Sequence, residues 1–311
     1  MPSPDVADES LQAFQDAVDG IHTTGETELD SFETFQVPDG LRGLEPPAPD
    51  VGLMLRRLTV LVPTLNEEAG IVKVLGDIPF HSLKKGGYAA STLVVDGNST
   101  DKTRDLARAM GAEVFVQTRK GKGSALREVI PTLLGDFAVM LDGDGTYPSS
   151  QILEALQRLE EGADVVSGSR LSGWMETDAM SRTHQWGNRA LTGLANVLYP
   201  SARTSDLCTG FWAFRVEALK QMHLTADGFE LEADLLAETA LQGFRYAEVP
   251  IAYGRRRGES KLTWKHGARI ALTLIKKKFS RRPGPRGRWA FFGGLLDARR
   301  RGRENAGPRT P

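Results

Sequence analysis

A doubly wound α/β sheet flanked by helices is predicted by three observations. Short apolar runs alternate with helix-like stretches, beginning near residue 58. The first of these runs, Leu58-Thr-Val-Leu-Val62, is continuously apolar, as a strand covered on both faces must be. Charged residues then recur just past the strands, where ligands sit in this architecture.

The elements follow in order. Strand 58–62 precedes a helix over 67–77, for which Thr64 or Asn66 is the candidate cap. A strand over 91–95 leads to a helix over 100–110, capped by Ser99 or Thr100. A short strand covers 113–116. A helix over 124–134 contains Pro131, which lacks an N–H and shortens or kinks it. Strand 137–141, helix 151–160 and strand 163–167 complete the series. Glu230 and Glu232 fall at a further helix start, where acids suit the dipole.

Composition separates the ends from the middle. The 311 residues are 40% hydrophobic and 25% charged, with a net charge of -1 and a single cysteine, Cys208, so no internal disulfide forms. Residues 1–55 form an acidic leader of disordered composition, with a short helix over 11–18. The folded domain is expected over 56–265 and a basic amphipathic tail over 266–311. In that tail, 270–279 is helix-like, with apolar Ile270, Leu272, Leu274, Ile275 and Phe279 and the basic run Lys276-Lys-Lys278, and 289–296 is an apolar-aromatic run between arginines. Such borders suit an anionic membrane surface; packing of these apolar residues on the main domain is the alternative. No module for nucleic acid accompanies the charge, so no nucleic-acid partner is expected. The N-terminus lacks a signal peptide and no run of about 18 apolar residues occurs.

The chemistry concentrates in Leu141-Asp-Gly-Asp-Gly-Thr-Tyr-Pro148. Carboxylates at i and i+2 beyond an apolar strand point into one cleft, and oxygen ligands of this kind suit Mg²⁺ or Mn²⁺ shared with a phosphate. An Asp/Gly-rich turn is the plainer reading of the same residues, and the further ligands of an EF-hand are missing. Val62-Pro-Thr-Leu-Asn-Glu-Glu68 and Val95-Asp-Gly-Asn-Ser-Thr-Asp101 bring polar groups to the neighbouring exits, with Asp101 supporting the next helix. Neither a dinucleotide G-x-G-x-x-G nor a Walker loop is present, which disfavours an ATPase.

Taken with Lys120-Gly-Lys-Gly-Ser-Ala125, Gly168-Ser-Arg170, Asp206-Leu-Cys-Thr-Gly-Phe211, Glu248-Val-Pro-Ile251 and Arg257-Gly-Glu-Ser-Lys-Leu262, these segments span about residues 58 to 265. In kind and order the chain resembles the inverting family-2 glycosyltransferases, above all the polyprenyl-phosphate (dolichyl-phosphate) mannose or glucose synthase branch. The resemblance implies a GT-A fold with a mixed sheet. It implies that Pro63, Leu65 and Glu67 line a nucleotide pocket, that Asp96 contacts the base, and that Lys122 and Ser260 belong to the nucleotide-sugar site. Asp142 would lie near the ribose and metal and Asp144 would ligate the metal. Arg170 and Arg182 would face donor or acceptor phosphate, with Arg257, Ser260 and Lys261 on a basic loop nearby. The chain departs from the family at Thr146, where members often carry a metal-ligating Gln, and at Gly97, where a second Asp is common. No Q-x-x-R-W motif occurs, which disfavours a processive polysaccharide synthase.

The function expected is transfer of a hexose from a UDP- or GDP-linked sugar to a polyprenyl phosphate, cytoplasmic and peripheral at the membrane face. The alternative is a soluble enzyme with a small hydroxylated acceptor, for which Asp206, Glu230 or Glu232 would supply a general base. A binding module without turnover is the third reading.

Overall fold

The computed structural model describes residues 55–255 and 264–280, with the backbone alone at 264 and 265. Residues 1–54 of the leader, Arg257, Ser260, Lys261 and the arginine-bordered run at 289–296 lie outside the described residues.

Seven strands form one sheet in the order β3-β2-β1-β4-β6-β5-β7. They are β1 Arg56–Thr64, β2 Tyr88–Asp96, β3 Glu113–Val116, β4 Phe137–Met140, β5 Val165–Ser169, β6 Trp212–Arg215 and β7 Tyr246–Pro250. All neighbours run parallel except β6, which is antiparallel to both β4 and β5. The sheet is therefore mixed, and β1, β2, β4 and β5 all end at the same edge. Burial on both faces follows from the alternation within β1. Leu58, Val60 and Val62 join one core cluster and Leu61 the other.

Nine α-helices are described: α1 Glu68–Gly76, α2 Phe80–Lys85, α3 Thr103–Ala109, α4 Lys122–Val129, α5 Ile152–Glu160, α6 Arg182–Leu198, α7 Val216–Gln221, α8 Leu231–Gln242 and α9 Trp264–Phe279. Helix α5 buries Ile152, Ala155, Leu156 and Leu159, the stripe that a 3.6-residue period places on one side. Helix α4 ends where Pro131 enters a 3-10 turn over Ile130–Thr132, so the proline shortens the element expected to reach 134.

The expected caps do not form. Asn66 adopts a left-handed φ of 53° and its side chain accepts from Thr100 N–H at 2.8 Å, tying the β1 and β2 exits together instead of capping α1. Ser99 and Thr100 precede α3 by too much to cap it. Asp101 does that work, accepting from Thr103 N–H at 3.0 Å.

The tail expected from residue 266 is part of the packed domain as far as Ser280. Helix α9 buries Ile270 and Leu274 in the same cluster as α8, and Tyr199 OH donates to Leu274 O at 2.7 Å. Lys277 Nζ lies 2.7 Å from both Asp234 and Glu238 of α8. A buried cation facing two buried carboxylates is what a packed helix needs and a solvated tail does not. No helix among the described residues is long and apolar enough to cross a membrane.

Candidate functional site

Three neighbouring strand exits build one crevice. Backbone groups lace the β1 and β2 exits together: Asn66 N–H donates to Ser99 Oγ at 2.9 Å, Glu67 N–H to Thr103 Oγ1 at 2.9 Å, and Gly97 N–H to Thr64 O at 2.7 Å. This lattice holds Pro63 half-buried and leaves Leu65 exposed at the rim. Asp96 ends β2 with its side chain fully buried, and its Oδ2 accepts from Ser99 N–H at 2.9 Å. Its Oδ1 makes no hydrogen bond with any described residue. A buried carboxylate oxygen in that state is costly, and a ligand N–H arriving there would relieve the cost.

The β4 exit carries the carboxylate pair. Asp142 is partly exposed, and its Oδ1 lies 2.5 Å from Lys122 Nζ. Lys122 also reaches Glu232 Oε1 at 2.7 Å, so one ammonium bridges α4, the β4 exit and α8. Burial alone would lower the Lys122 pKa, but the two carboxylates outweigh it and hold the lysine charged. Burial pushes the Glu232 carboxyl up, against the pull of Lys122.

The glycines beside Lys122 explain its placement. Gly121 sits at a φ of 105°, and a Cβ there would meet Asp227 O at 2.0 Å. Gly123 N–H donates to that same carbonyl at 3.0 Å, which seats the lysine at the N-terminus of α4. On the opposite side, a Cβ on Gly210 would meet Asp142 Oδ2 at 2.1 Å, so a side chain there would displace the carboxylate. Gly210 N–H donates to Tyr147 OH at 2.8 Å.

Asp144 is 2% exposed, and its Oδ1 accepts from both the N–H and the hydroxyl of Thr146, at 3.0 and 2.6 Å. Thr146 therefore grips the carboxylate. Among the described residues no group of three or more Asp, Glu, His or Cys side chains is arranged for a metal. Asp144, with Asp142 two residues before it at the same strand exit, nevertheless offers oxygen ligands of the kind that suit a Mg²⁺- or Mn²⁺-type ion, which takes few protein ligands and leaves other positions to phosphate and water.

The β5 exit carries a paired arginine. Arg170 is buried and forms a two-pronged pair with Asp206, with Nε–Oδ2 and Nη2–Oδ1 both at 2.7 Å. Asn188 of α6 donates to Asp206 at 2.6 Å as well. Asp206 thus braces Arg170. Its oxygens accept from Arg170 and from the Asn188 amide, which fills the positions a substrate hydroxyl would need. Glu248 secures the same region by accepting from Thr204 Oγ1 and Ser205 Oγ, both at 2.6 Å.

A cavity of about 340 Å³ opens beside Arg170, lined also by Met175, Glu176, Met180, Gln185 and Arg189. The arginine of α6 that reaches it is Arg189. Arg182, the candidate from sequence, is exposed at the first turn of α6, seven residues earlier along the same stripe. Arg189 was not among the residues the sequence pointed to, and helical phase from Arg182 is the one signal that leads to it; Glu232, a candidate general base from sequence, is instead the partner of Lys122.

Sheet order, strand exits and acidic turn are together those of a GT-A type glycosyltransferase. Residues 59–222 match the model of Glycosyl transferase family 2, and the chain belongs to that family. It is 38% identical over 220 residues to a dolichyl-phosphate hexose transferase of Haloferax volcanii, covering 70% of this chain and 92% of that protein. It is 36% identical over 208 residues to glycosyltransferase AglJ of the same organism, covering 67% of this chain and 64% of the relative's length. Glucosyl-3-phosphoglycerate synthase of Mycobacterium tuberculosis, solved with Mn²⁺, UDP-glucose and phosphoglyceric acid, has a TM-score of 0.56 at 25% identity, covering 76% of this chain and 86% of that one. The resemblance to the polyprenyl-phosphate branch is borne out by these relatives.

Proposed function

We propose that this glycosyltransferase moves a hexose, with inversion, from a nucleoside-diphosphate sugar to a polyprenyl phosphate at the cytoplasmic face of a membrane. The observation that carries the acceptor class is the state of the three acids that a hydroxyl acceptor would need. Asp206 is taken by Arg170 and Asn188, Glu232 by Lys122, and Glu230 accepts from two backbone N–H groups of 227 and 228. A phosphate acceptor is already ionised at neutral pH and needs positive charge rather than a base. Arg170 and Arg189 bring guanidinium groups to the cavity they line together with Glu176 and Asp178, and the Haloferax relative named for dolichyl-phosphate hexose transfer supports this acceptor class.

In this reading Asp96 Oδ1 receives an N–H of the base, while Pro63, Leu65 and Glu67 line the nucleotide pocket. Asp144 holds a divalent cation with Asp142 beside it, and Lys122 keeps Asp142 oriented toward the ribose and sugar. Such a cation neutralises the charge that grows on the departing diphosphate. Mg²⁺ and Mn²⁺ both suit the donor set, and the M. tuberculosis neighbour was solved with Mn²⁺. Arg170, with Arg257 and Lys261 from the segment after β7, adds fixed positive charge around the phosphates, and Ser260 adds a neutral hydroxyl to the nucleotide-sugar site. Arg182 and Arg189 steer the incoming acceptor phosphate.

Membrane contact is supported by the outer face of α9, where Leu272, Ile275 and Phe279 are exposed beside Arg269 and Lys276.

The deciding experiment supplies a labelled UDP- or GDP-hexose with either polyprenyl phosphate or phosphoglyceric acid, the small acceptor bound by the M. tuberculosis neighbour. Label extracted into organic solvent with the lipid is the expected outcome. Label that remains aqueous with the lipid, and is transferred to the small acceptor, establishes the soluble-acceptor alternative.

A further inference from the structure

The departure at Thr146 has a structural counterpart. An aspartate carboxylate turns about a broad, roughly two-fold torsion, so its orientation must be imposed by neighbours. At Asp144 one such neighbour is Thr146, which directs its backbone N–H and its hydroxyl at the same oxygen, at 3.0 and 2.6 Å. The N–H contact is an Asx-type turn that many residues provide. The hydroxyl contact is particular to this side chain. Thr146 is 1% exposed, so water has little room to replace it, and its β-branched χ1 is stiff.

The same residue reaches the other side of the crevice. Its carbonyl accepts from Gly254 N–H at 2.9 Å. Gly254 precedes Arg255, whose N–H donates to Glu176 Oε2 at 3.0 Å and whose Nε donates to Thr177 O at 3.1 Å. Tyr253 N–H donates to Trp174 O at 2.9 Å. One residue thus joins the Asp144 carboxylate to the start of the basic segment after β7.

We infer that Thr146 is a positioning residue for the transfer reaction: its hydroxyl fixes the Asp144 carboxylate in the orientation that takes the divalent cation. This rests on the reading of Asp144 as the metal ligand. Outer hydrogen bonds to a ligating carboxylate orient it and raise metal affinity, commonly by about 10- to 100-fold. Thr146 is therefore assigned as a support of the carboxylate, in place of a third ligand.

The test measures Mn²⁺ binding to the full chain by the electron paramagnetic resonance of free Mn²⁺, in the presence of whichever of UDP and GDP raises the melting temperature of the unaltered protein. Thr146→Val and Thr146→Ala should weaken Mn²⁺ binding by about 10- to 100-fold, and Thr146→Ser should stay within about threefold of the parent. Melting temperatures without Mn²⁺ report folding. If Thr146→Val does not fold, Thr146→Ala against Thr146→Ser decides. Asp144→Asn separates the two claims. Lost Mn²⁺ binding in Asp144→Asn, with parental binding in both hydroxyl-free variants, overturns the role of Thr146 and leaves the metal reading standing. Parental binding in Asp144→Asn, or no response to either nucleotide, overturns the metal reading itself.

Discussion

At the scale of single residues, what matters is which polar groups the fold has already satisfied. Asp101 is an example outside the acidic turn. It accepts from Thr103 N–H and Thr103 Oγ1 through Oδ1, and from Glu68 N–H at 3.2 Å through Oδ2. Burial pulls its pKa upward, but these bonds outweigh burial and hold it below the usual carboxylate value. A carboxyl with a depressed folded pKa contributes stability that is present above its unfolded pKa and lost as pH falls through the folded one. Asp101→Asn should therefore melt lower than the parent at pH 7. The gap should narrow as the buffer is taken from about pH 5 toward pH 3, where the parent loses the same contribution. Thermal melts of the two proteins across that range measure it, and a gap that stays constant would show that Asp101 titrates as in the unfolded chain. The role of Asp101 was readable from its place before a helix. The roles of Asn66 and Ser99 were not, because the bonds that redirect them cross from one strand exit to the next.

At the scale of elements, α9 separates its two sides sharply. Ile270, Leu274 and Lys277 face α8 and the core, while Leu272, Ile275 and Phe279 face outward. Lys277 also donates to His223 O. Removing only the lysine leaves Asp234 and Glu238 buried against each other, which commonly costs about 3–5 kcal/mol. Lys277→Ala should accordingly lose about that much in urea unfolding, and Lys276→Ala, next to it but exposed, should change little. Equal losses from the two variants would mean that the cluster does not anchor the helix. The periodicity of 270–279 was visible in sequence, yet its inward and outward sides were not. The apolar residues lie on both sides of the helix, and only the carboxylates of α8 identify the lysine that turns inward.

At the scale of the whole molecule, four strand exits at one edge give the candidate active face, and the outer side of α9 gives a second feature. Apolar residues flanked by basic ones bind anionic bilayers by burial plus charge, each basic group adding about 1 kcal/mol near the surface. Ile275→Glu with Phe279→Glu should weaken sedimentation with phosphatidylserine-containing vesicles, while neutral vesicles and the melting temperature change little. Substitution is the right tool, since truncation before Lys276 would also remove the anchor at Lys277. Unaltered sedimentation of the double variant would move any membrane contact to residues beyond Ser280.

The chain by itself determined the alternation of strands and helices, the edge at which charged residues gather, and the acidic turn after β4. Those features are local: apolar runs of strand length, glycines where the backbone must bend, and carboxylates two residues apart. The tertiary structure alone decided which charges remain available. Lys122 meets Glu232 across 110 positions, and Arg170 meets Asp206 across 36. Pairing of that kind depends on how crossovers bring distant segments together, and the energy of a buried charge depends on the partner found there.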